Sequence, residues 1–203
     1  MIVVGLTGGI ASGKSFVVKY LKKQKIETHE SDLVIKKLYL KPKKDFVSFL
    51  LNSGFQTAIN NKKINKKIIR NIIINNNKKR NILENYLHKK VEEDRATFLK
   101  KNKRKKLVFL DIPLLFEKKL EFLCDYICST ITSNKIREER AIKRKGMNSK
   151  VFRKILKIQT TNKLRKLKSH YIINTSKTKK DTYLQINNII YDILQKVKWE
   201  RLF

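Results

Sequence analysis

The sequence predicts an α/β fold, a parallel sheet flanked by helices with a helical block inserted after the second strand. Three observations predict it. Short apolar runs recur at Ile2–Thr7, Leu107–Ile112 and Asp125–Ile131, each too brief for a helix and continuous enough to be buried on both faces. Stretches with apolar residues at helical spacing alternate with these runs, as strand–helix–strand units require. The one long departure, from about Leu33 to Lys103, is helical in pattern throughout.

Taken in order, Ile2–Thr7 reads as a buried strand that ends in two glycines. Val17, Val18 and Leu21 mark a helix over Ser15 to about Lys23, and a second strand is placed at Ile26–His29. In the inserted block, Leu33, Ile35, Leu38 and Leu40 precede Pro42, and Phe46, Phe49, Leu50 and Leu51 precede Gly54. Ile68, Ile69, Ile72 and Ile73 form a stripe, and Leu83, Tyr86, Leu87 and Val91 form another. The basic run KKNKRKK at 100–106 reads as an exposed connection back to the strand at Leu107. Ser133 suits the N-cap of a helix that stops at Gly146, and Ser149 the cap of one reaching about Lys168. A last strand at Tyr171–Ile173 and a C-terminal helix carrying Leu184, Ile186, Ile189, Ile190, Ile193 and Leu194 complete the reading.

With 203 residues the chain is long enough for a real core without disulfides or structural zinc. Cys124 and Cys128, spaced C-x3-C with no second pair, lack the ligand set of a zinc site and are expected to pack in a core, as free thiols do in a reducing compartment. No stretch has the roughly 18–20 apolar residues that cross a bilayer, and the N-terminus has no basic segment of a signal peptide. A cytoplasmic, soluble protein is expected, as a monomer or small homo-oligomer. Lys and Arg number 49 against 17 Asp and Glu, a net +32. That excess favours anionic partners. The same excess follows from AT-rich codon drift, which enriches Lys, Asn and Ile together, as in IINNNKKRNIL.

The sharpest feature is Gly8-Gly9-Ile10-Ala11-Ser12-Gly13-Lys14-Ser15, which satisfies G-x-x-x-x-G-K-[ST] in full, between a buried strand and a helix. Glycines let successive N–H groups point into one concavity, and the helix N-terminus adds partial positive charge where phosphate sits. Lys14 reaches the β- and γ-phosphates and the Ser15 hydroxyl ligates Mg2+. The loop therefore predicts nucleoside triphosphate binding. Kinase, GTPase, ATPase and motor roles all remain open to it.

Acidic residues fall after two other strands: Glu30-Ser31-Asp32, and Asp111 ahead of Ile112-Pro113-Leu114-Leu115-Phe116-Glu117. Ligands of open α/β sheets sit at such strand ends, where a carboxylate can hold hydrated Mg2+ or accept a proton. Position alone favours Asp32 as the cap of the helix that begins at Leu33, a role compatible in space with catalysis. Arg137, Arg140 and Arg144 share one face of a predicted helix, either as a plain solvated surface or as a lid that neutralises phosphoryl charge.

Together, LTGGIASGKS, the acidic-x-acidic pair, LDIPLLFE, the Arg-rich segment and Gln-Thr-Thr resemble the dephospho-CoA kinase family, in order and over nearly the whole chain. The resemblance implies a P-loop NTPase fold, with a five-stranded parallel sheet over 1–32 and 104–203, an inserted helical substrate subdomain over 33–103 and a lid over 136–149. It implies ATP and Mg2+ as cofactors, dephospho-CoA as acceptor, and no specific nucleic-acid or membrane partner. By resemblance, Asp32 is the base for the ribose 3′-hydroxyl. Lys14 and Arg144, supported by Arg140, stabilise the γ-phosphoryl in flight. Gly8, Gly9, Ala11, Ser12, Gly13, Lys14, Ser15 and Phe16 bind nucleotide, with Ser15 on the metal. Pro113, Leu114, Leu115 and His88 bind the acceptor alongside Asp32, and Gln159 and Arg165 fall in a motif near the nucleotide. The chain departs from the family pattern at Glu30, Phe16, Lys89, Asn162, Ser169-His170 and Asn174-Thr175, and none of these is Lys14, Ser15, Asp32 or Arg144. Two other readings stand beside this one. One is another small-molecule kinase, such as a nucleoside or nucleoside-monophosphate kinase. The other is a nucleic-acid-binding P-loop protein, against which the basic runs lack the interleaved aromatics that stack on bases.

Overall fold

Ile2, Val4 and Leu6 point to one side of the first strand and are buried there, while Val3 and Gly5 alternate to the other, as the two-residue period of a strand dictates. This strand, β1 (Ile2–Gly8), lies at the centre of a five-stranded parallel sheet. It pairs on one side with β5 (Leu107–Asp111), in a register that sets Val4 opposite Phe109. On the other side it pairs with β6 (Tyr126–Ile131), setting Gly5 opposite Ile127. β2 (Thr28–Glu30) and β7 (Tyr171–Asn174) form the edges, giving the order β2-β5-β1-β6-β7. The computed structural model describes residues 1–60 and 63–200.

The chain folds as two compact units, one made of Met1–His29 together with everything from Asn102 onward, the other of Glu30–Lys101. The second unit begins at Glu30 rather than Leu33 and ends at Lys101 rather than Lys103, so Asp32 lies within it.

In the first unit, α1 (Lys14–Lys23) buries Val17, Val18 and Leu21 against the sheet, and α9 (Lys179–Glu200) adds Ile186, Ile189 and Ile193 to the same core. Each such side chain, taken out of water, contributes roughly 1.5–3 kcal/mol before the loss of conformational entropy is subtracted. Phe16 and Tyr20, one helical turn apart on α1, both stack on Tyr183 of α9, with ring centroids 5.2 and 4.1 Å away. The cysteines behave as small hydrophobes: Cys128 is buried in the core cluster and Cys124 is half-buried.

The helix expected from Ser133 to Gly146 is shorter. α6 spans Asn134–Ile142, capped by the Ser133 hydroxyl, which accepts from Ile136 N at 3.3 Å. Gly146, at φ 77°, then sits in a separate turn. The helix expected over Ser149 to Lys168 is two: α7 (Ser149–Ile158), capped by Asn148, and α8 (Asn162–Lys168), capped by Thr161. Gln159 and Thr160 are left in the break, where the Thr161 hydroxyl starts a new helix.

The second unit contains α2 (Ser31–Leu40), α3 (Lys44–Asn52), α4 (Lys66–Asn75) and α5 (Asn77–Lys101). Phe46, Leu50, Phe55, Ala58, Ile69 and Leu83 form its core, with Phe49 and Tyr86 stacked 3.9 Å apart beside them. A short antiparallel pair, β3 (Ile59–Asn60) and β4 (Lys63–Ile64), interrupts the expected all-helical pattern.

Candidate functional site

The phosphate loop leaves β1 at Gly8 and enters α1 at Lys14. Its backbone uses the left-handed region twice, at Ala11 (φ 57°) and Gly13 (φ 90°), and Ser12 N–H donates back to Gly9 O at 3.1 Å. The loop is tied down from three sides. Ser12 Oγ and Thr130 Oγ1 share a hydrogen bond of 2.7 Å. Thr175 Oγ1 donates to Ser12 O at 2.8 Å, which puts one of the residues that depart from the family pattern in direct contact with the loop. A Cβ at Gly9 would lie 2.2 Å from a guanidinium nitrogen of Arg137, so only glycine admits that close approach.

Lys14 Nζ rests on Asp111 Oδ1 at 2.5 Å, both side chains being largely buried, so the ends of β1 and β5 bring an ammonium and a carboxylate together at the loop. Ser15 is exposed at the start of α1, and its hydroxyl makes no hydrogen bond among the described residues. Phe16 N–H donates to Gly13 O at 2.9 Å, and its ring is turned onto Tyr183.

The three arginines do not share a face. Arg137 is only 2% exposed: its Nε donates to Ile10 O at 2.9 Å and its Nη1 to Asn134 Oδ1 at 3.1 Å. Burial, and after it the charge of Arg165, lowers its pKa from the ordinary guanidinium value. Arg140 is half-buried and donates to Thr175 Oγ1 at 3.1 Å and to Thr175 O at 2.8 Å. Arg144 lies beyond the end of α6, in the turn before α7, with its side chain exposed. The helical spacing fails there because α6 stops at Ile142.

Sequence reasoning set Gln159 and Arg165 near the nucleotide but gave neither a partner, and it gave Glu117 no role. Arg165, fully buried, donates to Glu117 Oε1 at 2.9 Å and reaches Thr7 Oγ1 at 3.5 Å. Glu117 Oε1 also accepts Thr160 N–H at 2.7 Å. Gln159 Oε1 accepts Ile10 N–H at 2.7 Å. Burial lowers the Arg165 pKa, and Glu117 works against that shift. The adjoining motif turn carries Pro113, whose carbonyl accepts from Thr7 Oγ1 at 3.2 Å, and Leu114, which is exposed. Leu115 has no exposed surface and packs against Gly5.

In the second unit, Asp32 sits in the first turn of α2. The N-cap position belongs to Glu30, so the capping role open to Asp32 does not hold. Its carboxylate is exposed and makes no hydrogen bond among the described residues. His88 is exposed on α5.

A five-stranded parallel sheet with this loop between its first strand and first helix defines the P-loop class of nucleotide-binding proteins. The family model described as dephospho-CoA kinase matches residues 2–181. The dephospho-CoA kinase of Bartonella quintana is 34% identical over 197 residues, 96% of this chain and 100% of that one. That of Rickettsia prowazekii is 33% identical over 193 residues, 95% and 98% of the two chains. The solved dephospho-CoA kinase from Campylobacter jejuni has the same fold, with a TM-score of 0.71 at 22% identity over 96% of this chain and 98% of that one. The chain belongs to the dephospho-CoA kinase family.

Among the described residues no helix is long and apolar enough to cross a membrane.

Proposed function

We propose that this protein transfers the γ-phosphoryl group of ATP to the ribose 3′-hydroxyl of dephospho-CoA, forming coenzyme A and ADP. The observation that carries the reading is the complete phosphate loop, with Lys14 poised on Asp111, in a chain matched almost end to end by dephospho-CoA kinases. The loop amides and the α1 N-terminus hold the triphosphate. Lys14, offered phosphate oxygens as competing acceptors, exchanges Asp111 for them. The 3′-oxygen forms the new P–O bond as the bond to the β-phosphate bridging oxygen breaks, and its proton passes to the Asp32 carboxylate. Asp32 suits this task because nothing among the described residues occupies its oxygens.

Arg144, exposed on its turn, is the guanidinium with freedom to reach the transferring group. Arg140, engaged with Thr175, supports the nucleotide side. By the family's pattern Pro113, Leu114, Leu115 and His88 serve the acceptor. The donors fit Mg2+: a serine hydroxyl on α1 and a carboxylate at the end of β5 are hard oxygen ligands of the kind Mg2+ takes alongside substrate phosphates. Ser15 and Asp111 would hold the ion, which when bound neutralises charge on the β- and γ-phosphates.

The test is a coupled assay of ADP release with ATP and, in turn, dephospho-CoA, AMP, a nucleoside and no acceptor. Turnover with dephospho-CoA well above all the others is expected. A preference for AMP or a nucleoside would transfer the protein to another small-molecule kinase activity.

A further inference from the structure

Both polar groups of the Ile10 backbone, at the apex of the phosphate loop, are bonded to side chains far along the chain. Its N–H is taken by Gln159 Oε1 at 2.7 Å and its C=O by Arg137 Nε at 2.9 Å. The same Gln159 oxygen accepts from Arg137 Nη2 at 3.4 Å, which closes the three groups into a ring. Around this ring the Ile10 and Ala11 side chains pack on Ala141, Phe152, Met147 and Leu156 of the α6–α7 region.

Gln159 occupies the break between α7 and α8, and the next residue in that break is anchored. Thr160 N–H donates to Glu117 Oε1, which also takes the fully buried Arg165. Glu117 Oε2 and Arg165 Nε are buried with no hydrogen-bond partner among the described residues. An ion pair left with spare polar atoms is a poor stabiliser, because desolvation of both charges offsets their attraction. Its use is then geometric. It places Thr160, and through it Gln159, against the loop.

We propose that Gln159 is a positioning residue for the phosphate loop, held at the Ile10 peptide by the Glu117–Arg165 pair, and that it sets ATP affinity rather than the chemical step. This rests on the reading of the loop as an ATP site. Gln suits the position because it accepts hydrogen bonds without bringing negative charge close to a polyanion. A pinned loop loses less conformational freedom when it closes on phosphate, and that advantage is common to ground and transition states.

Two readouts test the proposal. The first, amide hydrogen exchange at Ile10, needs no activity. In Gln159→Ala it should quicken by about tenfold or more, the loss of one sound hydrogen bond. Gln159→Glu keeps the acceptor and should keep the protection. The second readout is steady-state kinetics. Gln159→Ala should raise the ATP KM by about tenfold with kcat within about twofold. Gln159→Glu should also raise it, by placing a carboxylate near the triphosphate. A role in packing alone predicts that Glu substitutes freely, since Arg137 would welcome it. Glu117→Leu combined with Arg165→Met removes both buried charges, avoids an orphaned ion, and should loosen Ile10 as Gln159→Ala does. Unchanged Ile10 exchange in Gln159→Ala overturns the pinning, and faster exchange with an unchanged KM overturns its role in affinity. Failure of the wild type to bind ATP in calorimetry would remove the phosphotransferase reading, while Ile10 exchange would still decide the pinning.

Discussion

The two units solve the same folding problem with different interiors. Every buried polar or charged residue among those described, including Thr7, Ser12, Asp111, Thr130, Arg137, Arg165 and Thr175, belongs to the sheet-containing unit. The inserted unit has a core of phenylalanine, leucine, isoleucine and alanine, and keeps its ionic contacts on the outside, where Lys90 bridges Asp45 and Glu93 at 3.0 and 3.1 Å. Burying polar groups costs stability unless each finds a partner, so a fold accumulates them where geometry matters more than stability. The lesson is that the sheet unit holds its polar groups inside, whereas the insertion carries its charged side chains, Asp32 among them, at the surface.

The largest effects should fall on activity. Lys14→Ala and Asp32→Ala are each expected to lower kcat/KM by about 10^2–10^4-fold in the dephospho-CoA assay. Asp32→Ala should leave the melting temperature unchanged, because its carboxylate is exposed and unbonded. Near-normal turnover of folded Asp32→Ala would take the base assignment away. Next comes stability. Arg165→Ala strands Glu117 in the interior and should cost about 3–5 kcal/mol in urea denaturation. Asp45→Ala, by contrast, removes an exposed partner of Lys90 and should cost no more than about 1 kcal/mol. Comparable losses in the two variants would erase the distinction between the interiors.

The smallest effect is a pH dependence. Burial first, and then Cys124, pushes the Cys128 thiol up to about 12. The unfolded thiol ionises from about pH 8.5 while the folded one does not, so this contribution to stability is full below that pH and fades as pH rises toward the folded value. Cys128→Ala should therefore flatten part of the alkaline decline in urea midpoint. A thiol reagent should label half-buried Cys124 well ahead of Cys128, and equal labelling rates would contradict the burial.

How much of this was legible in the sequence follows from how local each feature is. The phosphate loop lies in eight consecutive residues between a strand and a helix, so pattern alone places it. Asp111 was recognisable as a strand-end acid, though its partner Lys14 is fixed only by the pairing of β1 with β5. Arg137 was open to reading as a solvated cation and Arg165 was set near the nucleotide without a partner, because nothing near them in the chain announces that the face they occupy is turned inward. Their partners, Ile10 and Glu117, lie 127 and 48 positions away. The break at Gln159–Thr161 was hidden for a simpler reason: a threonine N-cap inside a continuous basic, apolar pattern resembles one helix. β3 and β4 were missed because two-residue strands carry no measurable alternation.

The position of β1 also has a bearing on biosynthesis. The strand is made before its sheet neighbours, which begin at Leu107 and Tyr126, and the rings that brace the helix after it wait for Tyr183. A chain growing on the ribosome therefore carries its nucleotide grip unassembled through most of its translation. Truncated or stalled products should be unable to sequester ATP.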